Sequence, residues 1–307
     1  MKDVYQLADL QNWADATADL PVPIRLGVVG DPVAHSLSPA LQNSALEASG
    51  LTMQYARFRI LPNELEQAFR LMREHEFVGV NLTLPHKMAA LALVDEAADS
   101  VREIGACNTV AFRDGRSLGY NSDGEGFSRA VRESFSVDLG DLRVLLLGAG
   151  GGAGRAIARQ CALEGCERLV LVTRVQAKAE ALAKELTAYF SGPRVFGPVP
   201  RLEAIPWEDR ALRAQLARTD LVVNATPVGL RLTDASPISR PLLAPHLMVY
   251  DLIPSDTRTA LLVAAAEAGA RGSDGRSMLL HQGALAFEFW FNRPAPLAVM
   301  RRSLGLS

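Results

Sequence analysis

Short apolar runs recur along the chain, and most end in glycine or a small polar cluster. Arg25-Leu-Gly-Val-Val-Gly30, Tyr55 to Ile60, Phe77 to Leu84, Val144 to Leu147, Arg168 to Thr173, Asp220 to Asn224 and Leu247 to Ile253 have strand length and strand composition. Between them lie segments with helical apolar spacing. Asn63 to His75 reads as an amphipathic helix, and Thr259 to Ala268 as a helix ended by Gly269. Strands alternating with helices predict the α/β class, with largely parallel sheets. Ser277 to Phe291 reads as a long, largely apolar helix, suited to return across a domain junction and pack on the N-terminal domain. Residues 1 to about 23 form an extension ending in Pro21 and Pro23, whose Tyr5, Leu7, Leu10 and Trp13 are spaced to lay an apolar edge on the body. No chemistry is assigned to it.

One stretch stands apart. Arg143-Val-Leu-Leu-Leu147 runs into Gly148-Ala-Gly-Gly-Gly-Ala-Gly154, and a helical segment follows from Ala156 to about Leu163. Strand, glycine turn and helix open a nucleotide-binding βαβ unit. Gly148 suits the tight turn, Gly150 lets backbone approach a pyrophosphate, and the small Ala153 permits close helix-strand packing. Amides at the start of a helix, with its dipole, favour phosphates. The next strand ends at Thr173-Arg174, where the ribose of a dinucleotide lies. An acid there binds the 2′-hydroxyl of NAD, whereas an arginine suits the 2′-phosphate of NADP. NADP is therefore expected over NAD. A glycine turn by itself also builds ligand-free loops; its place between two such strands is what favours the cofactor.

A length of 307 residues fits about two domains. The pattern places a Rossmann-type doubly wound domain at 124–275, and a substrate-binding domain with a mainly parallel sheet at 1–123 plus 276–307. A net charge of −2 with no basic run gives nothing to nucleic acid. No apolar stretch reaches the roughly 18 residues of a membrane span. The N-terminus is acidic and lacks the apolar core of a signal peptide. The three cysteines, Cys107, Cys161 and Cys166, have no metal-ligand spacing. A cytoplasmic protein without a metal is expected.

Three loops of the first domain carry the remaining chemistry. Asp31 to Asn43 holds Ser36 and Ser38, with Ser38-Pro39 also reading as a helix N-cap and first helical residue. Hydroxyls and free amides near a helix start suit a carboxylate. Asn81-Leu-Thr-Leu-Pro-His-Lys87 leaves a strand at its carboxyl end, where α/β ligands bind. Gly105 to Val110 and Gly119 to Phe127 bring Asn108 and Asp123. Alone, Lys87 is a solvent-facing lysine and Asp123 a turn former. Together, Ser36/Ser38, Thr83/Lys87 and Asn108/Asp123 make a set for a polyhydroxylated ligand, with one cation and one anion.

These motifs resemble the shikimate dehydrogenase family, with its quinate and shikimate-like relatives, over nearly all of residues 25 to 292. They stand as Gly-Asp-Pro-Val-Ala-His-Ser-Leu-Ser-Pro (30–39), Asn-Leu-Thr-Leu-Pro-His-Lys (81–87), Gly-Ala-Cys-Asn-Thr (105–109) and Asn-Ser-Asp-Gly-Glu-Gly-Phe (121–127). The glycine turn at 148–154, Asn-Ala-Thr-Pro-Val-Gly (224–229) and Met-Leu-Leu-His-Gln-Gly-Ala (278–284) complete the series in the family's order. The resemblance implies reversible, NADP-linked interconversion of 3-dehydroshikimate and shikimate in a cleft between two α/β domains, by a monomer or homodimer. It implies Lys87 and Asp123 as the catalytic pair and Ser36, Ser38, Asn81, Thr83, Asn108 and Gln282 as substrate-binding positions. For the cofactor it implies Gly148, Ala149, Gly150, Gly151, Gly152, Ala153, Thr173, Arg174, Thr226, Pro227, Leu252, Gly275 and Met278.

The chain departs from the family's pattern in four places. Pro254 stands where a tyrosine commonly touches the substrate carboxylate, and the glycine turn is one residue longer. Thr173-Arg174-Val175 replaces Asn-Arg-Thr, and Ser122 and Gln42 replace a threonine and a histidine. Pro254 and Val175 motivate a second reading, a dehydrogenase of quinate or another cyclic hydroxy acid. A non-catalytic dinucleotide-binding module is the third, and the retention of both Lys87 and Asp123 speaks against it.

Overall fold

The structure, a computed structural model, describes residues 2–191, 200–231, 233–255 and 257–306. Its internal contacts divide the chain into two units, Met1–Ser122 with Leu280–Ser307, and Asp123–Leu279.

Among the described residues, the first unit holds a sheet of β1 (Tyr5–Gln6), β2 (Ile24–Gly30), β3 (Gln54–Arg59), β4 (Gly79–Leu82), β5 (Glu96–Ala97), β6 (Thr109–Arg113) and β7 (Arg116–Tyr120). They lie in the order β1-β3-β2-β4-β6-β7-β5. The central β2 and β4 are largely apolar and almost wholly buried, as strands covered on both faces must be. Pairing is parallel except where β6 runs antiparallel to both β4 and β7. That exception matters for the site. It sets the amino end of β6 beside the carboxyl ends of β4 and β7, with Thr109 opposite both Asn81 and Tyr120.

The helices of this unit are α1 (Leu7–Gln11), α2 (Trp13–Ala16), α3 (Ser38–Ala48), α4 (Leu65–Glu74), α5 (Lys87–Ala90) and α6 (Asp99–Ile104). The expected amphipathic helix is α4, entered through a short 3-10 turn at Pro62–Glu64. The N-terminal extension joins the sheet outright: β1 pairs in parallel with β3, Tyr5 opposite Phe58. Tyr5 stacks on Phe58 at 5.6 Å and Trp13 packs against Phe77 at 5.4 Å, so Tyr5, Leu10 and Trp13 close the sheet's edge. Ser38 does not act as the N-cap expected of it. Helix α3 starts at Ser38 itself, Leu37 is the cap residue, and Pro39 occupies the second helical position.

The second unit is a sheet of β8 (Arg143–Leu147), β9 (Arg168–Val172), β10 (Leu202–Ile205), β11 (Leu221–Asn224), β12 (Met248–Asp251) and β13 (Arg271–Ser273). It is parallel throughout, in the order β10-β9-β8-β11-β12-β13. Chain progression reverses between β8 and β11, the switch point at which open α/β sheets bind ligands. Helices α7 (Asp123–Phe135), α8 (Gly152–Leu163), α9 (Gln176–Phe190), α10 (Asp209–Leu216) and α11 (Ala260–Glu267) bury apolar clusters on the two faces of the sheet. Helix α8 begins inside the glycine run, four residues before the periodic pattern becomes apolar. Thr259 caps α11 through its side chain, which accepts from the Leu262 amide, and Gly269 follows with φ +77°.

Helix α12 (Arg276–Phe291) is the long apolar helix of the sequence reading. Its residues from Leu280 onward belong to the first unit. There Gly283 lies so close to Leu41 that a Cβ would overlap it. Trp290 sits against Gly79 and donates to the Val110 carbonyl at 2.9 Å. Helix α13 (Leu297–Ser303) packs on α3.

Candidate active site

In the first unit, a continuous row of buried hydrogen bonds crosses the carboxyl ends of β4 and β7. The Ser122 amide donates to Asn108 Oδ1 at 2.9 Å, and a backbone N–H can only donate. It therefore turns Asn108 Nδ2 toward Ser122 Oγ (3.0 Å) and Gln282 Oε1 (3.3 Å). Thr109 Oγ1 also donates to Asn108 Oδ1 (3.0 Å), and so accepts from Asn81 Nδ2 at 2.9 Å. That leaves Asn81 Oδ1 to accept from the Tyr55 hydroxyl at 2.9 Å. Burial pushes the pKa of this phenol well up, and the nearby Ser38 hydroxyl works the other way. Three of the expected substrate positions, Asn81, Asn108 and Gln282, are thus joined. Tyr55, Thr109 and Ser122 complete the row. Strand periodicity showed Tyr55 and Thr109 only as strand residues, and nothing local marks them otherwise.

The other expected residues of this unit lie on the same loops. Ser36 is half-buried after β2, its carbonyl accepting from Arg57 Nε (3.1 Å) and Nη2 (2.8 Å), and its Oγ accepts from the Ser38 amide at 3.3 Å. Thr83 lies against Gly30, where any side chain would overlap its methyl. Its amide donates to the Val29 carbonyl at 2.9 Å. The loops after β2 and β4 are locked together. Lys87 opens α5, half-buried, and its carbonyl accepts from the Cys107 amide at 2.7 Å. Neighbouring His86 is fully buried with Nε2 at 2.8 Å from the Ile60 carbonyl, and burial lowers its pKa. Asp123, 3% exposed, is the first residue of α7 and of the second unit.

In the second unit the glycine turn has the geometry of a dinucleotide cradle. Gly148, at φ +82°, lies beneath Ala225 and Thr226, so the loops after β8 and β11 touch at the switch point. Gly151 precedes α8, whose first amides, from Gly152, Ala153 and Gly154, have no partners within the helix. The close helix-strand approach is made by Gly154, not Ala153. A Cβ on Gly154 would overlap the Gly148 carbonyl and stand 2.9 Å from Ala149 Cα. The extra residue in the turn has moved the packing position one place along. Gly154→Ala is expected to destabilise the unit by about 1–3 kcal/mol, as overpacking does. Gly151→Ala, with its nearest neighbour at 3.6 Å, is expected to leave the thermal midpoint unchanged. A melt of the cofactor-free variants reads the contrast.

Arg174 is exposed after β9, while Thr173 is buried and spends its hydroxyl on the Val175 carbonyl at 2.6 Å. Lys178 carries no signal in the sequence, because its spacing reads as the solvent face of a helix. It belongs to the first turn of α9, and its Cβ and Cδ lie 3.2 and 3.3 Å from where a Gly150 side chain would start. A second cation therefore flanks the turn.

Around the end of β11, Asn224 Oδ1 accepts from the Thr226 amide (3.1 Å) and hydroxyl (2.6 Å), holding Thr226-Pro227 in place. Asn224 Nδ2 donates to Asp251 Oδ1 at 2.9 Å, and Thr259 donates to Asp251 Oδ2 at 2.6 Å. Burial raises the Asp251 pKa, against these donors and the Ile253 amide. Gly275 packs against the Leu252 carbonyl, where a side chain would overlap. Tyr250 does not replace the phenol missing at Pro254. It is fully buried, its hydroxyl 2.7 Å from Ser277 Oγ and accepting the Met278 amide at 3.1 Å, which fixes the start of α12 and with it Met278. Among the described residues no group of three or more His, Cys, Asp or Glu is placed to hold a metal ion, and no helix is long and apolar enough to cross a membrane.

Residues 28–110 match the family described as shikimate dehydrogenase substrate binding domain, and residues 275–304 the shikimate 5′-dehydrogenase C-terminal domain. The shikimate dehydrogenase (NADP(+)) of Symbiobacterium thermophilum is 41% identical over 278 residues, covering 90% of this chain and 92% of that protein. The crystal structure of shikimate 5-dehydrogenase from Thermus thermophilus in complex with NADP(H) and shikimate superposes with a TM-score of 0.79 at 35% identity, covering 92% of this chain and 98% of that one. A quinate dehydrogenase from Corynebacterium glutamicum in complex with NAD gives a TM-score of 0.77 at 27% identity, over 92% and 98% of the two chains. With its sheets, its glycine turn and its row of buried amides and hydroxyls in place, this chain belongs to the shikimate dehydrogenase family.

Proposed function

We propose that the chain is an NADP-dependent shikimate dehydrogenase that interconverts 3-dehydroshikimate and shikimate, acting in the cytoplasm as a monomer or homodimer. The observation that carries this is the hydrogen-bonded row that joins Asn81, Asn108 and Gln282, in a chain of this family. Such a set of amides and hydroxyls suits a ligand with several hydroxyls, and Ser36 and Ser38 suit its carboxylate. Thr83 adds a hydroxyl from the loop after β4. NADP, when bound, takes or gives the hydride at the substrate's carbinol carbon. The remaining work falls to Lys87 and Asp123. As hydride leaves the carbon, the hydroxyl loses its proton, and a cation beside that oxygen lowers the barrier by relaying the proton or stabilising the alkoxide. Asp123 orients the lysine and accepts from the neighbouring hydroxyls.

The residues of the second unit fit the dinucleotide. Gly148 and Gly154 leave room where a Cβ would block the turn, α8 presents its first amides there, and Arg174 and Lys178 supply positive charge for a 2′-phosphate. Thr226, Pro227, Leu252, Gly275 and Met278 are assigned to the nicotinamide half.

Pro254 favours a second reading, a quinate or related cyclic hydroxy acid dehydrogenase, because no phenol stands at that position. Absorbance at 340 nm separates the two. High kcat/KM with shikimate and NADP, and little with quinate, is expected; turnover confined to quinate or NAD would replace the first reading with the second. On the first reading, Pro254→Tyr restores one hydrogen bond to the carboxylate and lowers KM for shikimate about 2- to 10-fold. An unchanged or higher KM shows that the loop serves its acid without a phenol.

A further inference from the structure

We propose that Tyr55 and Thr109 are positioning residues that grip the Asn81 amide from both sides and hold it in register for substrate. The inference rests on the substrate-binding reading of Asn81.

A side-chain amide is nearly symmetric in shape, so its two ends are told apart only by their partners. At Asn81 the partners are dictated, and Nδ2 also donates to the Asn108 carbonyl at 3.4 Å. Thr109 Oγ1 sends its proton to Asn108 Oδ1, so it meets Asn81 as an acceptor and selects Nδ2. The oxygen end then faces Tyr55, the donor that reaches it at 2.9 Å. All of these groups are shut away from water: Tyr55 and Thr109 are fully buried, Asn108 is 1% exposed and Asn81 5%. Loss of the Tyr55 hydroxyl leaves the buried Asn81 Oδ1 unpaired, and loss of the Thr109 hydroxyl leaves Nδ2 with only the longer contact to the Asn108 carbonyl, so either change loosens the placement of Asn81.

The backbone around Tyr55 is fixed independently of the Asn81 contact. Asn43 Oδ1 accepts from the Tyr55 amide (2.8 Å), Asn43 Nδ2 donates to its carbonyl (3.0 Å), and Trp290 lies 6.2 Å from its ring. Three elements, α3, β3 and α12, therefore set where the phenol stands.

Tyr55→Phe removes one oxygen and leaves the ring in place, while Thr109→Val removes the opposing hydroxyl at constant shape. Each is expected to raise KM for shikimate about tenfold, with kcat within about threefold, the scale of one misplaced hydrogen bond. The dissociation constant for NADP is expected to stay unchanged. Thr109→Ser, which keeps the hydroxyl, is expected to restore the wild-type KM. Wild-type KM values in Tyr55→Phe and Thr109→Val would overturn the proposal. So would a Thr109→Ser protein as impaired as Thr109→Val, because packing and not the hydroxyl would then be at work. Should Tyr55→Phe melt below the assay temperature, the two Thr109 variants decide alone. A wild-type protein that ignores shikimate overturns the proposed function, a separate outcome, and the same variants are then read on the acid it does oxidise.

Discussion

Lys87→Ala is expected to lower kcat by about 10²- to 10⁴-fold, the usual worth of general acid-base assistance. The dissociation constant for NADP is expected to be unchanged. Both halves follow from placement. The backbone at Lys87 is held by the Cys107 amide through its carbonyl, so truncating the side chain leaves the loop after β4 anchored. The residues assigned to the cofactor's phosphates belong to the other unit, around Gly148 to Gly154. Lys87→Arg refines the test, since guanidinium keeps the charge and does not give up its proton at any working pH. Recovery of most of the activity in the arginine variant assigns Lys87 to alkoxide stabilisation. Activity as low as in Lys87→Ala assigns it to proton transfer. Normal turnover by Lys87→Ala removes the residue from the mechanism and leaves Asp123 as the remaining candidate.

The sequence was readable where local pattern and tertiary role coincide. Strands β8, β9, β11 and β12 are buried on both faces, so each is a mostly apolar run with a glycine or polar exit. Elsewhere the local signal misled. Ser38-Pro39 has the look of an N-cap and first helical residue, yet α3 starts at Ser38 itself and Leu37 is the cap residue. Ala153 has the size for close packing, but the longer turn hands that job to Gly154. The two-residue strand β1 shows no periodicity at all. Its place in the sheet follows from Tyr5, Leu10 and Trp13, three apolar residues in an acidic stretch, finding Phe58 and Phe77. The motif residues were visible as a list of polar positions. The wiring among them was not, because Asn81, Thr109 and Tyr120 become neighbours only through an antiparallel register that no single strand specifies.

Cofactor choice gives the second large effect. Arg174→Ala is expected to weaken NADP by roughly 10- to 100-fold, the range for losing a hydrogen bond to a charged group, and NAD by little. Lys178→Ala is expected to do the same on a smaller scale. Arg174 presents a planar fork suited to phosphate, whereas Lys178 acts as a point charge. The two are not redundant in place: Arg174 follows β9 directly, and Lys178 stands on α9 over the glycine turn at Gly150. Thr173 spends its hydroxyl on the Val175 carbonyl and Val175 has none, so under the proposed assignment the discrimination falls on these two cations. Their effects are therefore expected to be large and to weaken as salt rises, because both groups are exposed. Titration of each variant with NADP and with NAD at two ionic strengths checks the argument. Equal losses for the two cofactors would show that Arg174 does not read the 2′-phosphate. A double variant that still prefers NADP would place the discrimination on the backbone amides of the turn.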